Sequence, residues 1–414
     1  MHNAPAPRSS SSPDGDLGGA NLRGMTIDFT DPDVIRDPYP ALARLRAESA
    51  VSWHEPTGAW LAASHAAAGA VLRDRRLGRF WTDREPAGVW EPFNLLHRNQ
   101  MMENEPPDHT RLRALVAKAF ARGHVERLRP AVAAEAARLV RAAGPEFDLL
   151  TTVAEPLAVT VIAELLGVPE PDRHRLRPWS AAIVRMYEVT RTPEAESAAL
   201  AACREFAGYL RDLAARREAD PRDDLVSHLV AVRDGTDRLS ADELVASAIL
   251  LLNAGHEASV NALGGGVVAL LRHPEQLSRI KNDRALVPTA AEEMLRYDPP
   301  LHMFVRTAAA PVTVAGVTIG AGERIAALLG AANRDPAVFA EPDTFDAARE
   351  PNPHLAFGAG LHFCLGAPLA RIELQAGLTA LLDHAPELAL AEEPVNRPTF
   401  VLRAYQKVRL SRRA

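Results

Sequence analysis

Apolar residues return every three to four positions through most of the chain, the spacing that lays one face of an α-helix on a core. The pattern predicts helices starting near Pro40 and over 65–73, 109–122, 124–143, 149–166, 194–217 and 223–234. The longest begins behind Ser240-Ala-Asp-Glu243, where a serine and a glutamate three residues on can cap the same helix end, and is expected to run to 273. Alternation takes over in two places. VSWH and AWLAAS, joined by residues 55–58, predict a hairpin, and 311–329, with Ala315-Gly316 inside it, predicts a small β unit. Another helix starts near Ala367, and a short β region closes the chain. The expected fold class is therefore mainly α with small β-sheets. Residues 1–25, rich in Ser, Pro and Gly, are expected to form a flexible tail before a single domain over 26–414.

Composition narrows the function classes. At 47 % hydrophobic and 24 % charged residues the chain reads as an ordinary globular protein. Its 47 basic and 53 acidic residues give a net charge of −6, which argues against nucleic acid or an anionic membrane as the main partner. The N-terminal stretch lacks an apolar core, and the longest apolar run, 244–252, falls short of the ~20 residues a spanning helix needs. A cytoplasmic location is expected. Two cysteines, Cys203 and Cys364, exclude a disulfide framework and a four-cysteine zinc site, and a lone thiol suits a reducing compartment.

Cys364 stands in the most informative segment, Phe357-Gly-Ala-Gly-Leu-His-Phe-Cys-Leu-Gly-Ala-Pro-Leu-Ala-Arg371. Gly358, Gly360 and Gly366 would allow positive φ and a close approach to a bulky flat group. A cysteine just before a helix is expected to be favoured as a thiolate by amide N–H groups and the helix dipole. Such a thiolate is what a ferric haem takes as an axial ligand. Cys203, on a helix away from any glycine loop, reads as a packing residue.

The whole spacing Phe-x-x-Gly-x-His-x-Cys-x-Gly resembles the haem-binding signature of the cytochrome P-450 family, of the soluble bacterial type. Further motifs extend the resemblance over roughly residues 27–410. It implies a triangular-prism α-rich fold around a buried haem b, with Cys364 as the axial iron ligand and Phe357, Gly358 and Gly366 in the haem pocket. Glu293-Met-Leu-Arg296 places two opposite charges one helical turn apart. It resembles the family's Glu-x-x-Arg pair, completed by Arg349, with the structural role of locking the cysteine loop. His109-Thr-Arg-Leu-Arg113 sets an imidazole and a guanidinium on one helix face. The resemblance makes His109 and Arg113 contacts of the haem propionates, with Arg306 and His362 as two more.

LLLNAGHEASVNALGGG resembles the helix that passes over the haem. Here Ala254 and Gly255 would form the oxygen groove, with the helix locally opened at Gly255, and Glu257 would serve proton delivery. A zinc reading of His256-Glu257 fails because position 260 is Val rather than a second His. His256 is expected on the opposite side, as a packing or surface residue. The family usually carries an alcohol after the acid. This chain has Ala258, so Ser259, a water chain from Glu257 or a hydroxyl of the substrate would have to stand in.

The resemblance implies a monooxygenase that activates dioxygen and oxidises a medium-sized organic substrate, in bacterial secondary metabolism or steroid or terpenoid conversion. No dinucleotide fingerprint and no further cluster-binding cysteines are present. Electrons are therefore expected from a separate ferredoxin and ferredoxin reductase. Substrate contacts are expected from Trp90, Phe93, Leu96, Leu252, Asn253, Met303, Phe304, Phe400 and Val401. Oxidative coupling, desaturation or peroxide-driven chemistry, and a non-catalytic haem or small-molecule binder, stand as the alternatives.

Overall fold

A computed structural model describes residues 26–120, 124–189, 191–232 and 237–412. The expected tail, 1–25, and the ends of two expected helices, Arg122 and Asp234, lie outside the described residues. The described chain is dominated by helices, with its strands gathered into four small sheets.

Most of the helices follow the apolar spacing. His65–Arg73, His124–Ala142, Pro193–Ala219 and Ala367–His384 lie within two residues of the expected spans. Ala241–Leu271 opens on the expected capping box, Ser240 accepting from the Glu243 amide while Glu243 accepts from the Ser240 amide. It is a continuous α-helix through Gly255, so the expected opening there is absent. Gly255 stays in helical register, with the Ile162 side chain in ordinary contact range beside it. Ala87–Arg98 was not expected, because Pro92 interrupts its run of donors, and neither were Leu176–Val184 and Pro274–Asn282. The expected helix over 149–166 divides into a π-helical start, Leu150–Ala154, and an α-helix, Glu155–Leu166.

The hairpin forms as Val51–His54 against Ala59–Ala62, closed by Gly58 at φ 57°. It continues through a parallel pairing with Arg324–Leu328, then Met303–Ala308 and Leu77–Gly78, to make five strands. Within 311–329, Ala315 and Gly316 both take positive φ (48° and 83°) at a tight turn between Val312–Val314 and Val317–Ile319. A three-stranded sheet joins Glu146–Asp148, Arg409–Arg412 and Leu388–Leu390, and Val395–Asn396 pairs with Tyr405–Lys407.

The helices share one large apolar core, while the five-stranded sheet carries two smaller ones. Ala241–Leu271 runs through the large core with 24 buried residues, a length of apolar surface only a fully surrounded helix carries. It packs on Glu155–Leu166, Val287–Tyr297 and Ala367–His384, and so ties the cysteine-loop helix to the element carrying Glu257. No described helix is long and apolar enough to cross a membrane.

Candidate active site

The cysteine loop is held open by glycine geometry at two points. Gly358 and Gly360 have φ of 68° and 70°, and a Cβ on Gly360 would lie 2.4 Å from the Leu72 carbonyl oxygen. Gly366 differs from expectation: its φ is −80°, and its place is the N-cap of Ala367–His384. The close approach made by Gly360 is to the backbone of residue 72, which fixes the loop to the helix His65–Arg73.

Cys364 donates its amide to the Phe357 carbonyl at 3.0 Å, closing the loop on itself. The thiol is pushed up by burial, while the amides of Gly366 and Ala367 and the charges of Arg113 and Arg371 pull the other way. The sequence pointed to a favoured thiolate. In the protein part alone desolvation outweighs the amides, so it takes a bound cation to tip the balance. Phe357 lies beneath the Arg371 guanidinium, 4.7 Å from ring centre to cation.

Around this loop the structure gathers two guanidinium groups and two imidazoles, with Glu105 as a carboxylate among them. His109 is 1 % exposed, and neither ring nitrogen has a partner. Burial and the neighbouring His362 lower it to about 4. Arg306 is 4 % exposed and donates only to the carbonyl of Val305, at 3.0 Å. Desolvation and the repulsion of Arg79 lower it to about 10. Arg113 donates to the Phe363 carbonyl at 2.8 Å, within the cysteine loop itself. His362 lies with its ring 4.4 Å from that of His109, but its Nε2 meets Glu105 at 2.8 Å. Glu105 also accepts from the Arg79 amide, so it already competes for one of the four expected donors. A buried guanidinium and imidazole left unpaired are costly unless an anion completes them. The dicarboxylate edge of a haem, lying over a cysteine, is a group these residues fit.

Glu293, Arg296 and Arg349 meet as one buried cluster. Arg296, fully buried, donates to both Glu293 oxygens at 2.7 and 2.8 Å and to the carbonyls of Asn333, Pro342 and Thr344. Glu293 also accepts from Asn352 and from the Asp346 amide. These bonds fix the segment 333–352 that leads into the cysteine loop.

On the long helix Ala254 is exposed, and Gly255 and Ala258 are half-buried, while every other residue from Leu244 to Leu270 is buried. Ala254 and Ala258, one turn apart, therefore look into open space. Glu257 is buried, with its Oε2 3.8 Å from Arg397. Burial pushes its carboxyl up, against the pull of Arg397 and Arg177. His256 is buried beside it, its Nδ1 3.8 Å from the same carboxylate.

Ser259 turns away from that open face. It lies on the side of Glu373, a buried acid one of whose oxygens has no partner. The two border a cavity of about 10 Å³ walled by Ala154, Leu157 and Leu263. Burial pushes Glu373 up to about 8, so it holds its proton at neutral pH. Sequence reasoning did not single out Glu373. The signal was there: an acid in the apolar stripe of Leu369, Glu373 and Gly377, one turn apart on a buried helix.

The expected substrate contacts divide. Phe93 is fully buried, stacked on His97 at 3.8 Å, and Trp90 packs edge-on against it at 5.9 Å. Leu96 and Leu252 join the same core. Phe400 packs on Phe29 at 4.3 Å, with Met303 and, less buried, Val401 in the same cluster. Phe304 lies against Gly358 of the cysteine loop. Met303, Phe400 and Phe93 thus each sit within an apolar cluster. Asn253 keeps an unpartnered side-chain oxygen beside Ala254. Cys203 is fully buried, and its thiol is pushed up to about 12.

A helical core threaded by one long helix, with a glycine-braced cysteine loop and a buried arginine and histidine without a carboxylate partner beside it, defines a haem-thiolate protein. Comparison with known proteins agrees. The Cytochrome P450 family model matches residues 182–385. Cytochrome P450 monooxygenase PikC of Streptomyces venezuelae is 42 % identical over 371 residues, 87 % of each chain. The 6-deoxyerythronolide B hydroxylase of Saccharopolyspora erythraea is 39 % identical over 384 residues, 89 % of this chain and 94 % of that one. The structure of P450BioI in complex with an acyl carrier protein bearing hexadec-9Z-enoic acid superposes with a TM-score of 0.88 at 34 % identity, covering 92 % of this chain and all of that one. The chain belongs to the cytochrome P450 family. It is a haem-thiolate monooxygenase with haem b as cofactor, using dioxygen and an electron-donating redox partner.

Proposed function

We propose that Cys364 is the axial iron ligand, that His109, Arg113, Arg306 and His362 receive the haem propionates, and that residues 26–414 form one haem domain. The observation that carries this is the buried guanidinium of Arg306, which donates only to a backbone carbonyl, and the buried, unpartnered imidazole of His109 beside the cysteine loop. When bound, the haem supplies reductive activation of dioxygen, with the thiolate pushing electron density through the iron.

The protein's own groups then divide the remaining work. Ala254 and Ala258 bring no polar atom to the open face of the long helix, where the haem and substrate would be accommodated. Glu257, whose carboxyl burial pushes up against the pull of Arg397 at 3.8 Å, is the buried acid next to that face. The protonated Glu373 and Ser259 form a second reserve behind the helix, beside a cavity at the lower limit for one water. With no hydroxyl at 258, these two acids are the proton sources the chain offers. Asn253 supplies one hydrogen-bonding group to an otherwise apolar wall, as a medium-sized organic substrate requires.

The substrate belongs to bacterial secondary metabolism, the setting that the names of PikC and the deoxyerythronolide hydroxylase suggest. A ferredoxin with its reductase delivers the electrons, in the cytoplasm. The test is turnover of the reconstituted protein with ferredoxin, ferredoxin reductase and labelled dioxygen. Label in the product, lost in Cys364→Ser, supports the reading. Electron-dependent oxygen uptake with no labelled product from any substrate defeats it.

A further inference from the structure

Glu292 neighbours the buried Glu293 in the helix Val287–Tyr297, but its carboxylate serves the cysteine loop directly. Its two oxygens accept from Nε and Nη2 of Arg371 at 2.7 and 2.8 Å, the parallel pair of bonds a guanidinium makes best. One of them also accepts from Nε2 of His354 at 3.2 Å. The Ala356 amide donates to Nδ1 of that imidazole, at 3.2 Å, which leaves Nε2 as the N–H that Glu292 receives. A single carboxylate thus holds the chain on both sides of Cys364: His354 ahead of it, and Arg371 behind it on the helix Ala367–His384.

Both held residues lie against Phe357. Its ring centre is 4.7 Å from the Arg371 guanidinium and 5.8 Å from the centre of the His354 ring. Its carbonyl accepts the Cys364 amide at 3.0 Å. The path from Glu292 to Cys364 is therefore continuous, through guanidinium, aromatic ring and one backbone hydrogen bond. Charge follows the same path. Of the two partners of Glu292 only Arg371 is a permanent cation, and its charge favours the Cys364 thiolate. Burial pushes the Glu292 carboxyl up, but the bonds from His354 and Arg371 outweigh it and hold it at about 2, so the pair is fully charged at neutral pH.

We propose that Glu292 is a positioning residue for the haem thiolate: by clamping Arg371 and His354 against Phe357, it fixes how much positive charge Cys364 meets and so sets the reduction potential of the iron. The inference rests on the reading of Cys364 as the axial ligand. Partners behind a ligand tune the metal through it. Positive charge near the thiolate favours the ferrous state, which holds one more electron. A guanidinium freed of its carboxylate therefore raises the potential, and a lost guanidinium lowers it.

The test is a mediated spectroelectrochemical titration of the haem protein, with the Soret band of the ferrous carbon monoxide complex reporting thiolate ligation. Expected for Glu292→Gln is a rise that changes the ferric-to-ferrous ratio about tenfold at a fixed potential, about 59 mV for one electron. Arg371→Gln should shift the potential the other way, and the double variant should return toward the parent, because the pair is then removed whole. All three should keep the thiolate band. A loop that is merely loosened would instead move both single variants in one direction and lose that band. Unchanged potentials, shifts of one sign, or loss of the thiolate band in either single variant would overturn the inference while the haem reading stands. Should Glu292→Gln fail to fold, Arg371→Gln decides alone, and a potential equal to or above the parent's overturns the inference. A parent protein whose carbon monoxide complex lacks the thiolate band defeats the underlying reading instead.

Discussion

Arg349 places its Nε 3.2 Å from each carboxylate oxygen of Glu293, 56 residues earlier in the chain. With Arg296 on the other side, a single buried carboxylate holds two guanidiniums. Removing it would leave both buried and unpaired. Glu293→Ala should therefore cost about 3–5 kcal/mol of stability, the usual penalty for breaking a buried pair from one side. Urea unfolding measures this, and a midpoint within error of the parent would show that the cluster is not what holds the 333–352 segment.

Arg306 and His109 make a prediction about haem retention. Each is buried without a carboxylate partner in the protein part, so a bound dicarboxylate stabilises both. Arg306→Gln keeps the volume and removes the charge, and should speed haem loss to a scavenging protein by about tenfold, as loss of one charge-assisted hydrogen bond implies. The same substitution should stabilise the haem-free protein, because it relieves an uncompensated charge. Destabilisation of both forms would mean that Arg306 serves packing.

Glu373 gives a pH dependence whose sign follows from its burial. Its carboxyl is pushed up to about 8 in the fold and returns to its ordinary 4.5 when the chain unfolds. Between those values the native state keeps a proton that the unfolded state has released. Stability contributed by the protonated acid is present below that window and falls as pH rises through it. Glu373→Gln has no proton to lose, so the stability of the variant relative to the parent should increase across the window and level off above it. Parallel pH profiles of the two urea midpoints would remove Glu373 as the source.

Ala258 leads to a prediction about coupling. The position faces open space one turn beyond Ala254, and the neighbouring alcohol, Ser259, lies on the side of Glu373 behind the helix. Ala258→Thr adds a hydroxyl on the open face. Activity should be retained, and a larger share of the electrons consumed should appear in product. Product formed per electron donor oxidised is the measurement, and a large loss of both turnover and coupling would refute the idea.

Much of this architecture was legible before any coordinates. The helix boundaries followed from apolar spacing and from caps such as Ser240–Glu243, which are local properties of the backbone. The tight turn at Ala315-Gly316 was marked by its own residues. The cysteine loop, the long helix and the set of Glu293, Arg296 and Arg349 could be found because their chemistry is carried by short, ordered motifs. Periodicity shows that a face is buried, but it does not show what lies against it. Only the tertiary structure decided that Ser259 meets Glu373, that Glu105 takes His362, and that Phe400 and Met303 close on Phe29. It also decided that Asp83 and Glu91 are both held by Arg98.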